Sequence, residues 1–138
     1  MLELNAFDNK VLGSAENLPF EDNSFDNVFC SFVWRNVSDT NNAMNEVYRV
    51  LRPGGKFILL DMTRPKNSFL RMLHKIGTFK VLHLIGLITF NLKEYRFLYK
   101  SLDFYPQPEE HLNKDNFIDL KIERMGVFNF VYLAVFTK

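Results

Sequence analysis

Cysteine is nearly missing from this 138-residue chain. Cys30 is the only one, so no intrachain disulfide can form, which fits a reducing compartment such as the cytoplasm. An excess of one charge is missing too. Seventeen Lys and Arg face 16 Asp and Glu, a formal net charge of +1, with no long run of either sign. Dedicated nucleic-acid binders carry a basic face or a basic excess, so that partner class is disfavoured. No apolar run suffices for a spanning helix: the densest, Thr78 to Phe90, is too short, and Lys80 and His83 interrupt it. Internal repeats and low-complexity tracts are absent, and the opening MLELNAFDNK is expected to be neither a signal nor a transit peptide. What is present is core material: 47% of the residues are hydrophobic, 15 of them Phe, in a length that suits one domain.

The most informative stretch runs from Phe25 to Met62, FDNVFCSFVWRNVSDTNNAMNEVYRVLRPGGKFILLDM. The continuous apolar run Val28 to Val33 predicts a strand covered on both faces, as in parallel sheets. It ends in a polar tip, Arg35-Asn36. Ser38 or Asp39 is placed to cap a helix from Asp39 to Leu51, with Ala43, Val47, Val50 and Leu51 as its buried stripe. Arg52 precedes a proline and is pushed out of helical geometry. Pro53-Gly54-Gly55 predicts a sharp turn into a second strand, Phe57 to Leu60, that ends at Asp61. Strand, crossover helix and strand make a βαβ unit with parallel strands. Ligands of open α/β sheets bind beyond the carboxyl ends of the strands. Here those ends are Ser31 to Asn36 and Asp61 to Arg64.

Around this unit the pattern is plainer. Met1 to Ala6 reads as the end of a helix, Gly13 to Glu16 as a loop, and Leu18 to Ser24 as turn chemistry. Ser68 is placed to cap a long helix reaching about Phe90. A core or lid helix is the favoured reading of it, with a lipid-facing surface as the alternative. Lys93 to Leu102 predicts a second helix, stopped by Pro106 and Pro108, and Glu109 to Lys114 a last helical turn. Phe117 to Glu123 and Phe130 to Phe136 predict a closing antiparallel hairpin around Met125-Gly126.

With these motifs in place, the chain resembles the C-terminal part of the ubiquinone/menaquinone biosynthesis C-methyltransferases, class I enzymes that use S-adenosylmethionine. GSAENLPFEDNSFD, SFVWRNV and YRVLRPGGKFILLD carry the likeness in order and with similar spacing. RPKNSFLRMLHKIG, EYRFLYKSL and a Pro-x-Pro-Glu-Glu segment follow more loosely, in the layout of that family's insertion. The resemblance implies an α/β, Rossmann-like sheet, mostly parallel, with a C-terminal antiparallel hairpin. It further implies that residues 1–138 are the C-terminal portion of a single methyltransferase domain, with insertion helices over about 66–114. Relatives open with a strand, a Gly-x-Gly loop and a second strand ending in an acid. The six glycines here, 13, 54, 55, 77, 86 and 126, include no Gly-x-Gly. The chain is therefore expected to lack the first two strands and the glycine loop that approaches the cofactor, and to be inactive by itself. Two alternatives stay open: a methyltransferase for another small molecule, or a non-catalytic remnant or subunit.

The resemblance also places candidate residues. Ser14 and Ala15 match the pair beside the adenine of S-adenosylmethionine, although the first position is usually Asp or Asn; otherwise Ser14 is an ordinary loop serine. Ser31 matches a cofactor-contacting serine, or is a strand serine bonded to backbone. Arg35 and Asn36 are the acceptor-side candidates. Methylating a quinol carbon needs the phenolate form of the ring, and a cation with an amide donor stabilises that oxyanion. The alternative for Arg35 is structural, an anchor to a helix end or a carboxylate. Asp61 is expected to pair with Arg35 or Arg64. Cys30 reads as a small buried hydrophobe. His74, His83 and His111 have no partner at ligand spacing, so no metal site is argued. Tyr95 and Tyr99 share a helix face. Phe69, Met72, Ile76, Leu84 and Phe90 either line a channel for a polyprenyl tail or, the favoured reading, are simply buried. The implied partners are a lipid quinol and no nucleic acid. Peripheral membrane contact, self-association and a completing chain stay open.

Overall fold

A computed structural model of the chain describes residues 10–112 and 116–138, with Phe104 and Phe128 described by backbone alone. The helix end expected at Met1 to Ala6 lies outside the described residues, as do residues 113–115 of the expected last turn. The elements are β1 (Phe25–Ser31), a 3-10 turn (Trp34–Asn36), α1 (Thr40–Val50), β2 (Leu51–Met62), α2 (Ser68–Ile88), α3 (Leu92–Phe104), α4 (Pro108–His111), β3 (Asp119–Met125) and β4 (Val131–Thr137). The strand order is β1-β2-β4-β3. β1 and β2 are parallel, joined through α1, so the expected βαβ unit is present. β4 runs antiparallel to both β2 and β3. The expected mostly parallel sheet is thus mixed among the described residues, with a single parallel pairing and the expected C-terminal hairpin.

The core follows from strand alternation. Phe57, Leu59 and Asp61 of β2 share a face with Tyr132, Ala134 and Phe136 of β4, all of them sealed from solvent. α1 covers that face with Ala43, Met44 and Val47, and Trp34 packs on Phe57 at 5.4 Å between ring centres. Asp39 caps α1, accepting from the Asn42 amide at 3.0 Å. The helix stops at Val50, and the chain enters β2 directly at Leu51.

Four expectations need correcting. Pro53-Gly54-Gly55 is not a turn between helix and strand but a bulge inside β2: Phe25 faces Leu51 and Asn27 faces Lys56, so residues 52–55 stand opposite Asp26 alone. Glycine is required there, because a Cβ on Gly55 would lie 2.8 Å from the Arg52 carbonyl and 2.9 Å from that of Asp26. The bulge is held by Lys138, whose carbonyl accepts from the Gly54 amide at 2.7 Å. Second, among the described residues β1 is an edge strand covered on one face only. Phe29 is 72% exposed, and the strand ends at Ser31 because Phe32 takes a left-handed φ of 57°. Third, Asn67, not Ser68, caps α2, accepting from the Phe69 and Leu70 amides. Fourth, the favoured burial of Phe69, Met72, Ile76, Leu84 and Phe90 does not occur. All five are exposed, and only His74 and Gly86 of α2 are buried.

α2 and α3 form a helical hairpin beyond the carboxyl end of β2. Gly86 lets them close, since a Cβ there would meet the Leu92 backbone at 3.1 Å. Charge ties the hairpin to the sheet. Arg64, just past β2, is buried; it donates to Asp103 at 2.8 Å, to the Thr78 hydroxyl at 2.8 Å and to the Tyr99 carbonyl at 3.3 Å. Its guanidinium also lies over the Tyr99 ring, 4.9 Å from the centre.

Candidate functional site

The expected site lies at the carboxyl ends of β1 and β2. After Phe32 the chain leaves the sheet, and the Trp34–Asn36 turn folds Arg35 over Asp61. The two form an ion pair, and the Arg35 backbone amide also donates to Asp61 Oδ2 at 3.2 Å. Asp61 is fully buried, and 7% of the Arg35 side chain is exposed. Of the two partners foreseen for Asp61, the structure selects Arg35. Arg64 is occupied by Asp103. A buried carboxylate is stable only when paired and hydrogen-bonded, and Asp61 also accepts from the Met62 amide at 2.7 Å. Arg35 is therefore anchored to a carboxylate. Its Nε is buried without a partner among the described residues, and the adjacent Asn36 is exposed at the tip.

Around this pair lies a group of polar side chains that sequence reasoning missed. Tyr132 is the register partner of Asp61 across β4. The Tyr105 ring meets His111 edge-on at 4.5 Å. The hydroxyls of Tyr105, Tyr132 and Thr63, Nε2 of His111 and the Trp34 indole nitrogen are buried without partners among the described residues. His111 Nδ1 lies 2.8 Å from the Gln107 carbonyl, so it carries the ring proton and leaves Nε2 as an acceptor. Burial first, and the Asp61 charge among lesser causes, push both tyrosine hydroxyls well above the usual range. Burial likewise lowers His111 and, with Asp61, raises Cys30, which agrees with reading Cys30 as a hydrophobe. The available signal was strand alternation: a hairpin strand beside β2 must set one residue opposite Asp61.

The cofactor-side candidates are more open. Ser14 and Ala15 are exposed in a tight turn, and the Ser14 hydroxyl donates to Glu16 at 3.3 Å. Glu16 fixes this turn beside the tip by accepting from the Ser38 and Asp39 amides at 3.0 and 2.8 Å. Ser31 is exposed at the end of β1. No Gly-x-Gly loop accompanies these residues in the 138-residue sequence. His74 packs against Arg64 and Phe130, and His83 stacks on Phe79.

An apolar hollow of about 580 Å³ opens between the α2–α3 hairpin and the carboxyl end of β2. Met62, Leu73, Val81, Leu98, Leu102 and Phe130 give it its character.

Residues 7–125 match the model of the ubiE/COQ5 methyltransferase family. The chain is 45% identical over 112 residues to a ubiquinone/menaquinone biosynthesis C-methyltransferase UbiE from Rickettsia bellii, and 42% identical to the protein of that name from Rickettsia felis. In both comparisons the match covers 79% of this chain and 45% of the relative, so the chain spans under half the length of the curated relatives it matches. Among solved structures, a SAM-dependent methyltransferase from Thermotoga maritima, described as a possible histamine N-methyltransferase, superposes with a TM-score of 0.60 at 22% identity. That match covers 91% of this chain and 62% of the other. The MccD protein matches at 0.52 and 16% identity, over 91% and 65% of the two chains. These likenesses show an α/β fold shared with those proteins.

Proposed function

The chain belongs to the ubiE/COQ5 methyltransferase family, and from that membership we propose that it forms the acceptor side of an S-adenosylmethionine-dependent C-methyltransferase acting on a demethylated polyprenyl quinol. The supporting observation is the tip at the carboxyl edge, where buried Asp61 fixes Arg35 and exposed Asn36 stands beside it. When bound, S-adenosylmethionine supplies a methyl group already activated by its sulfonium charge. The work left to these residues is alignment and stabilisation of the acceptor's oxyanion. In this reading Asn36 donates its amide to the phenolate oxygen, and the Asp61-held guanidinium of Arg35 supplies positive charge without having to reorganise. The 580 Å³ hollow takes the first units of the isoprenoid tail. Ser14, Ala15 and Ser31 line one rim of the cofactor site, and residues 66–112 act as an insertion over the acceptor. Lacking a Gly-x-Gly loop, the 138-residue chain alone is expected to give little or no heat with S-adenosylmethionine in a calorimetric titration.

A chimera tests the reading. Residues 10–125 replace the matching stretch of the Rickettsia bellii relative, and methylation of a demethylated quinol is followed. The chimera should turn over, and Asn36→Ala should lower kcat by about 100-fold while cofactor affinity and unfolding stay unchanged. Full turnover by that variant discards the oxyanion role. Arg35→Ala also loses turnover, but it strands a buried carboxylate and lowers stability, so Asn36 is the cleaner probe.

A second reading has its own observation. The outer edge of β1 is unpaired among the described residues, and Phe29 beside it is 72% exposed. Open edges and apolar faces recruit other polypeptides. In this reading the chain is a non-catalytic subunit, completed by another chain or a second copy. Sedimentation of the purified chain over a range of concentrations distinguishes a self-associating protein from a monomer.

A further inference from the structure

The α2 helix is built inside out. Its inward face carries Arg71, His74, Lys75 and Thr78, engaged with Arg64, Asp103 and the Pro65 carbonyl. Its outward face carries Phe69, Met72, Leu73, Ile76, Leu84 and Leu87, spaced at one or three residues and once at eight, where Lys80 takes the intervening turn; Leu73, Ile76 and Lys80 also stand at the mouth of the hollow. These six are between 46% and 67% exposed. The helix of a water-facing hairpin has the opposite arrangement, apolar stripe inward and charges outward. At the hairpin tip the left-handed φ of 56° at Phe90 accompanies a residue that is 95% exposed.

Charge singles out one medium. Residues 66–104 hold seven Lys and Arg against two Asp and Glu, whereas the remainder of the chain holds ten against fourteen. α2 has no acidic residue, and Lys80 sits within the outward stripe. Two copies of so basic a hairpin repel each other, which disfavours self-pairing through this face. Among the described residues no helix is long and apolar enough to cross a membrane. A helix with an exposed apolar stripe and basic flanks lies in the plane of a lipid interface, drawn there by buried apolar area and anionic headgroups together.

We propose that the outward face of α2, with the Phe90 tip, docks on the surface of an anionic lipid bilayer. This deepens the lipid-acceptor reading and rests on it for the purpose of docking, namely to bring the tail hollow to the phase where the acceptor is dissolved. The binding itself is measured without cofactor or acceptor, so failure of one reading is separable from failure of the other.

The experiment is flotation of the full chain with vesicles of phosphatidylcholine, with and without phosphatidylglycerol, at low and high salt. The chain should float with the phosphatidylglycerol vesicles at low salt and much less with phosphatidylcholine alone. Ile76→Glu combined with Leu84→Glu should weaken binding by about tenfold or more. Lys80→Gln should weaken it by about fivefold. All three side chains are exposed, so circular dichroism should be unchanged. Phe29→Glu, at an exposed apolar residue outside the hairpin, should bind like the parent. Absence of flotation with anionic vesicles overturns the proposal, as does flotation that the double glutamate variant leaves intact. A dimer that the double variant dissolves, in a chain that ignores vesicles, also overturns it and makes the face an interface between copies.

Discussion

α1 and α2 are opposite uses of one sequence pattern. Both repeat apolar residues at helical spacing. In α1 the stripe of Ala43, Met44 and Val47 is buried in one cluster with Phe57, Leu59 and Phe136, and polar residues face water. In α2 the apolar stripe is exposed, with Leu73 and Ile76 at the mouth of the hollow, and the inward polar contacts are made by His74, Lys75 and Thr78 around Arg64. Periodicity reports that a helix has two faces; it does not report which medium each face meets. The neighbours decide that. The sheet face under α1 is aromatic and aliphatic. Beside α2 stands a guanidinium, which is costly to bury unless paired and so draws polar groups inward.

The contrast makes its largest prediction with paired substitutions. Val47→Asp places an unpaired carboxylate in the core and should destabilise by about 4 kcal/mol or more in urea titration. Leu84→Asp, on the outward stripe, should stay within about 0.5 kcal/mol. Comparable losses from the two would show that α2 buries its apolar face after all. A smaller effect belongs to the charge hub. Arg64→Ala removes the contacts to Asp103, Thr78 and Tyr99 together. Asp103 is 27% exposed and keeps Lys75 at 3.2 Å, so the loss should be about 2 to 3 kcal/mol. It should appear first as faster amide exchange in residues 68–104, ahead of any change in the sheet. Uniform loosening of the sheet and hairpin would mean that the hub does not act as a local clamp.

Local chemistry read well where few partners decide the outcome. The βαβ unit, the Asp39 cap, the closing hairpin and the Arg35–Asp61 pair each rest on a short motif, and each is present. Pro53-Gly54-Gly55 has the composition of a reversal, but parallel pairing with β1 and the hydrogen bonds from Lys138 convert it into a bulge. Val28 to Val33 is apolar enough for a doubly covered strand, yet its coverage depends on neighbours that the run itself does not specify. The polar group around Asp61 was hardest to foresee. Tyr105, His111 and Tyr132 come from the end of α3, from α4 and from β4, and only the strand register joins them to β2. The candidate tip is thus local in sequence, whereas its surroundings are assembled by topology.

The smallest predicted effect tests the inward face of α2 by pH. His74 is buried with Nδ1 3.3 Å from Arg64 Nη1. A guanidinium can only donate, so that nitrogen accepts and carries no proton. Burial first, and then the Arg64 charge, hold the imidazole below its ordinary value of 6.5. The unfolded chain takes up this proton at the ordinary value, so the folded state binds fewer protons once pH falls through 6.5. The contribution is therefore whole above that pH and declines as pH drops toward the folded value, with a slope of at most about 1.4 kcal/mol per pH unit. His111, lowered mainly by burial, acts with the same sign. Glu46 and Glu109, drawn down to about 2 by Arg49 and Arg124, lose their contribution only in stronger acid, between their unfolded and folded values. His74→Asn keeps a hydrogen-bonding side chain that cannot titrate. In urea titrations from about pH 7.5 to about pH 5.5 it should flatten the fall in stability without abolishing it, the remainder belonging to His111. An unchanged slope would mean that His74 is solvated, and α2 would then be turned the other way.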